Sequence, residues 1–252
     1  MKRVAASLLV LLALAGFAPA RAENPDSDPR AVKVARAVMK SLGGREGWDA
    51  LPGLSWTFEV SVHDTIRSSR KHAWNKLTGE HRVEGTLRDG SPFVIVHVLG
   101  DSTKGAAWVN KNPLEGDSLA HMIKRAQAMW VNDSYWFLMP YKMLDPGVTL
   151  QWKGELKDST GAYDRIGLSF HNVGLTPGDR YEVFVHRGTN RVERWEYQLQ
   201  GTQPPPQKAT WEGWQQHDGL WFPTEHRAGA AIIFTHDVHT MRSFPPSEFR
   251  DL

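Results

Sequence analysis

Histidine and tryptophan are the residues of this chain best suited to chemistry, and it carries eleven of each. The densest grouping is His72-x-Trp74, followed by Gly79-x-His81-Arg82-x-Glu84. A hairpin through Thr78-Gly79 brings His72 and His81 near one another, with Trp74 and Arg82 beside them. That set forms either a structural network of hydrogen-bonded side chains or the acid–base centre of an envelope enzyme. His236 and His239 are three apart on an expected strand, so they face opposite sides and are poorly placed to share an ion.

No catalytic residue, metal site or cofactor is nominated. There is no G-x-S-x-G elbow, P-loop, G-x-G-x-x-G or H-E-x-x-H in the sequence. The carboxylates are scattered, so no glycosidase pair stands out. With no cysteine, disulfides, thiolate zinc sites and cysteine nucleophiles are excluded. Trp211 and Trp214 straddle a glycine and Trp221 follows across Asp218-Gly219, which allows a second function, a glycan or cell-envelope platform of exposed tryptophans.

Several elements must position these residues. Arg30 to Leu42 reads as a helix, with Val34 (or Ala35), Val38 and Leu42 as its stripe and Gly43-Gly44 as its stop. From Leu54 to His63 the pattern is strict alternation, with Leu54, Trp56, Phe58, Val60 and Val62 on one side, the mark of a half-buried antiparallel strand. Turns are expected at Thr78-Gly79, Asp89-Gly90, Gly188-Thr-Asn190 and Asp218-Gly219. Gly116-Asp117-Ser118 can cap a helix carrying Leu119, Met122, Ile123, Ala126 and Trp130 on one face. A break at Asn132-Asp133-Ser134 is expected to start a second short helix, kinked or split by Pro140. Residues 23–29 read as a disordered leader, and the tail from Phe244 as irregular.

Ser134 to Leu144 is apolar nearly all round, with Lys142 its only charge. No helical or strand spacing separates a wet face from a dry one, so it must be enclosed or must cover something greasy. The expected architecture is α+β: a strongly curved antiparallel sheet (half-barrel) with helices covering the concave face. In that arrangement Trp56, Phe58 and Val60 form the floor of a hydrophobic-ligand site. Trp130, Trp136, Phe137, Met139 and Leu144 form its lid, and methionines let the lid repack around different tails.

Met1-Lys2-Arg3, the apolar run Val4 to Phe17 and Ala20-Arg21-Ala22 read as a secretory signal peptide over residues 1–22. Residues 23–252 then form one exported, periplasmic domain, expected to be monomeric. Removing Lys2, Arg3 and Arg21 from 30 basic residues leaves 27 against 28 acidic, a net charge of −1. Nothing in that balance favours nucleic acid. The expected partners are a hydrophobic ligand or lipoprotein and envelope membrane proteins.

The order of leader, helix, meander, apolar insert and second meander resembles the periplasmic outer-membrane lipoprotein carrier (LolA-like) superfamily. The segments that carry the likeness are Arg70-x-His72-x-Trp74 with Thr78-Gly79, Leu144-Asp-Pro-Gly-Val148, Gly174-Leu-Thr-Pro-Gly-Asp179 and Gly219-Leu-Trp-Phe222. The resemblance implies an incomplete β-barrel around an apolar cavity, which in the carriers takes lipoprotein acyl chains. The chain is longer than a typical carrier and its insert more aromatic, and no carrier residue is transferred onto it.

Overall fold

The structure is a computed structural model and describes residues 24–171 and 178–250. The expected signal peptide and most of the Gly174–Asp179 segment lie outside the described residues. The chain opens with α1 (Pro29–Ser41) and α2 (Gly44–Ala50), then β1 (Gly53–Val62), β2 (Thr65–Asn75), β3 (Glu80–Thr86), β4 (Pro92–Val98), β5 (Asp101–Val109) and β6 (Asn112–Pro113). A long helix, α3 (Gly116–Lys142), separates these from β7 (Val148–Asp158), β8 (Gly161–Phe170), β9 (Arg180–His186), β10 (Arg191–Gln198) and β11 (Gln207–Thr210). The short β12 (Gln215–His217), β13 (Leu220–Phe222) and β14 (Glu225–Ala228) lead to the long β15 (Ala231–Met241).

Eight strands pair in the order β14-β15-β1-β2-β3-β4-β5-β6, and five in the order β11-β10-β9-β8-β7, all antiparallel. A bridge between Glu212 and Glu225 carries the pairing from the end of β11 to β14. The two sheets thus run on into one wrapped surface that stays open between β6 and β7. Both press on α3: Trp56 of β1 meets Phe137, and Trp195 of β10 meets Trp136. This is the expected half-barrel, with helices on its concave side.

Local chemistry explains the elements. Asp28 caps α1, its carboxylate accepting from the N–H groups of Arg30 and Ala31. Ala31, Ala35, Val38 and Leu42 bury the inner stripe of that helix. The β1 alternation holds from Leu54 through Trp56 to Phe58, at 0–1% exposure, and slips at a bulge between Val60 and Ser61, beyond which Ser61 is buried and Val62 half-buried. The four turns fall where the glycine and asparagine dipeptides place them.

Three expectations fail, the first being the Gly116-Asp117-Ser118 cap: α3 has Glu115 at its N-cap, with no side-chain capping bond. Residues 24–28 are not a free leader: Asp28 N–H donates to the Leu150 carbonyl, Leu150 N–H to Ser27, and Asn24 to Thr149, all on β7. The break at residues 132–134 is also absent, since α3 runs unbroken for 27 residues. Asp133 caps nothing, because both of its carboxylate oxygens are engaged by side chains, those of β2 above all. Pro140 sits two residues from the helix end, where little ladder remains to disrupt. Among the described residues, no helix is long and apolar enough to cross a membrane.

Candidate functional site

A cavity of about 710 Å³ lies between the second half of α3 and the inner face of the five-stranded sheet. Trp130, Tyr135 and Trp136 of α3 form one wall, and Phe170, Tyr181, Trp195 and Tyr197 the other. Its size lies within the usual range for small-molecule sites. The rings brace one another, with centroids of Tyr135 and Tyr181 5.4 Å apart and of Trp136 and Trp195 4.8 Å apart. Polar side chains share the lining, Asn132, Lys142, Asp145, Asp179 and Gln200 among them. Lys142 pairs with Asp145 at 2.7 Å, and Asp179 accepts from the Gln200 N–H at 2.8 Å. Burial, then Tyr181 and the carboxylates of Asp145 and Asp179, push the Tyr135 phenol well above its ordinary pKa, so it stays protonated.

The expected floor and lid divide between cavity and core. Trp130 and Trp136 line the cavity. Phe137 and Met139, both at 0% exposure, are packed in the core, and Leu144 packs against it. Residues 136 and 137 are about 100° apart round a helix, so one can face the cavity while the other is buried away from it. Trp56 and Phe58 are fully packed, and Val60 is half-buried against the same core. Sequence reasoning did not assign Tyr135, Phe170, Tyr181, Trp195 and Tyr197 to the site. The signal was present in the alternation of the strands that became β8 and β10.

Beside the cavity lies a buried polar chain. His72, His81 and His97 stand on β2, β3 and β4, pointing toward α3. Trp74 is paired with His81, and His81 with His97, in the strand register. Nε2 of His72 lies 3.0 Å from Oδ2 of Asp133, and its Nδ1 3.0 Å from Nε2 of His81. Nδ1 of His81 lies 2.8 Å from Nε2 of His97. Arg70 grips Asp133 with two bonds, at 2.6 and 2.8 Å, and also meets Ser68. Asn132, which lines the cavity, donates to the same carboxylate at 2.9 Å. Trp56 stacks on His72, and Trp130 stands edge-on to His81 and also packs on Trp74.

Burial alone would raise the pKa of Asp133, but hydrogen bonds from His72 and Arg70 outweigh it and hold the carboxyl below its ordinary value. An ionised Asp133 can only accept, which fixes the polarity of the chain. His72 donates Nε2–H to Asp133 and accepts at Nδ1 from His81, which accepts in turn from His97. Burial, then the two neighbouring rings, lower His81 well below 6.5, and burial lowers His97 to about 4. At neutral pH the chain therefore rests with both of these rings uncharged.

Of the expected polar cluster, His72, His81 and Trp74 come together. Arg82 does not join them, because neighbours on a strand face opposite ways. Its guanidinium bonds Glu84 at 2.6 Å and the Glu248 carbonyl at 3.2 Å. Among the described residues, no group of three or more His, Asp or Glu is placed to hold a metal ion. Of the expected tryptophan platform, Trp211 is withdrawn into the core, 1% exposed and edge-on against Trp195 and His226, while Trp214 and Trp221 are half-buried.

A long helix held inside an unclosed antiparallel wrap, with a cavity on one side of it, defines the LolA-like half-barrel. Solved structures share it. A DUF1329 family protein from Desulfovibrio piger matches with a TM-score of 0.52 at 12% identity, over 89% of this chain and 98% of its own. A LolA superfamily protein from Nitrosomonas europaea matches with a TM-score of 0.51 at 11% identity, over 88% of this chain and 97% of its own. No family model matches the sequence, and no curated protein matches it.

Proposed function

We propose that this chain binds a hydrophobic ligand, a lipid or the acyl chain of a lipoprotein, in the cavity between α3 and the five-stranded sheet. The observation that carries the reading is the cavity itself, about 710 Å³ with seven aromatic side chains in its walls, in a half-barrel. Each buried methylene contributes about 0.8 kcal/mol. A tail with ten or more buried methylenes therefore outweighs the several kcal/mol lost on immobilisation. The polar residues of the lining serve a headgroup. The reading extends to an exported, periplasmic protein that takes its ligand from one membrane-associated partner and yields it to another, in keeping with the expected signal peptide.

The test is binding of monopalmitoylglycerol, an uncharged single-chain lipid, followed by tryptophan fluorescence and native mass spectrometry. A saturable one-to-one complex is expected, along with co-purifying lipid in protein extracted from cells. A chain that takes up no lipid in either experiment has a cavity of some other purpose.

A further inference from the structure

We propose that Asp133, His72, His81 and His97 form a proton relay that binds one excess proton and, through Asp133, sets how firmly α3 closes the lipid cavity. The coupling to the cavity rests on the ligand-binding reading above; the relay does not. Three observations carry it. The ring nitrogens meet head to tail at 2.8–3.0 Å. Nδ1 of His97, at the outer end, is buried with no hydrogen-bond partner. The inner end is a residue of α3 whose neighbours Asn132 and Ser134 line the cavity.

A proton from water reaching Nδ1 of His97 needs no ring to move. The His97 Nε2–H passes to Nδ1 of His81, whose own Nε2–H passes to Nδ1 of His72. His97 and His81 end as neutral Nδ1–H tautomers. His72 ends as an imidazolium whose Nε2–H still points at Asp133. The charge comes to rest there because only there does a carboxylate face it. From β2 the charged neighbour is Arg70, which holds the same carboxylate. On β3 and β4 the titratable neighbours are the other rings, β1 presents Trp56, and β5 places Gly105 opposite His97. A side chain at Gly105 would meet the Val96 carbonyl at 2.6 Å, the Ile123 Cδ1 at 2.9 Å and the His97 Cβ at 3.1 Å, so β5 sets no ionisable side chain opposite the outer ring.

The excess proton turns the bond from a neutral His72 ring to the Asp133 carboxylate into a hydrogen-bonded ion pair between sheet and helix, with both partners charged. Protonation therefore clamps α3, and the neutral chain leaves it easier to lift.

The first experiment follows the three rings by long-range proton–nitrogen correlation in histidine-labelled protein without ligand. All three are expected as Nε2–H tautomers at neutral pH, and acidification should shift them together with one midpoint and one proton. Three separate midpoints, or titration of His97 alone, would overturn the relay. Replacing the middle ring, His81→Phe, should uncouple His72 from His97. His97→Gln, at the better tolerated outer end, should remove the shared transition, and its survival there counts against the idea equally. The second experiment measures dissociation of monopalmitoylglycerol across that midpoint, where it should slow on the order of tenfold on acidification. Rings that titrate together with an unchanged dissociation rate overturn the coupling while lipid binding stands. A protein that never takes up the lipid overturns the ligand reading while the ring titration still decides the relay.

Discussion

His226 gives the sharpest expectation about stability. It lies on β14 at 0% exposure, donates Nδ1–H to the Thr210 carbonyl at 2.9 Å, and packs against the rings of Trp211 and Trp136 at 4.4 and 5.4 Å. Burial pushes its pKa from 6.5 to about 4, against the opposing pull of the Thr210 and Trp136 carbonyls. The Trp136 carbonyl cannot receive the usual helical bond from residue 140, a proline without an N–H. The unfolded chain takes a proton near pH 6.5 and the folded chain only near 4, so the unfolded state holds more protons in between. Stability is therefore full above that window and is lost as the pH falls through it. At 1.36 kcal/mol per pKa unit, the gap is worth about 3 kcal/mol. His226→Asn keeps a donor near Nδ1 and removes the titration. Urea unfolding followed by tryptophan fluorescence, repeated from neutral pH down to about 4, should show the wild type losing about 3 kcal/mol more than the variant. Part of the slope stays in the variant, because His81 and His97 are depressed as well. Any packing defect left by asparagine lowers both ends of the curve alike. Parallel curves for the two proteins would refute the argument.

The remaining expectations test the site. Asp133→Ala leaves Arg70 and His72 facing no carboxylate and should cost about 3 kcal/mol in urea unfolding, whereas Asp133→Leu combined with Arg70→Met should recover much of it. Phe170→Glu sets a charge in the cavity wall and should weaken monopalmitoylglycerol binding at least about tenfold with little change in unfolding midpoint. Arg82→Ala, on the far face of β3, should alter neither lipid binding nor the titration of the three rings; a shift in either would place Arg82 in the network after all.

Much of this fold was readable in the sequence, because local signals and tertiary demands agreed. The β1 alternation, the α1 stripe and the Thr78-Gly79, Asp89-Gly90 and Asp218-Gly219 turns each fix their element without reference to distant residues. The reading failed where a residue serves a distant partner. Asn132-Asp133-Ser134 has the composition of a helix cap, yet Asp133 is bound to Arg70, 63 positions earlier in sequence. Trp211 looks like a platform residue until Trp195 and His226 are seen packed on it. For the site, the hairpin placed His72 beside His81, but His97 is added by a second hairpin and Asp133 by a helix from elsewhere. Which aromatics face the cavity depends on how α3 is rotated, and that is set by both sheets at once.

The bonds from residues 24–28 to β7 cover part of an open sheet edge. A wrap that does not close leaves two outermost strands, each a template on which another chain can add itself. At β6 the template is only two residues long and includes Pro113, which has no N–H to offer. At β7 it is eleven residues long, and the first stretch past the expected signal peptide lies along its start, occupying both the N–H and the carbonyl of Leu150. Those few residues act as a selvedge. Trimming them, or burying them under a fused tag, uncovers polymerisable backbone without touching the cavity.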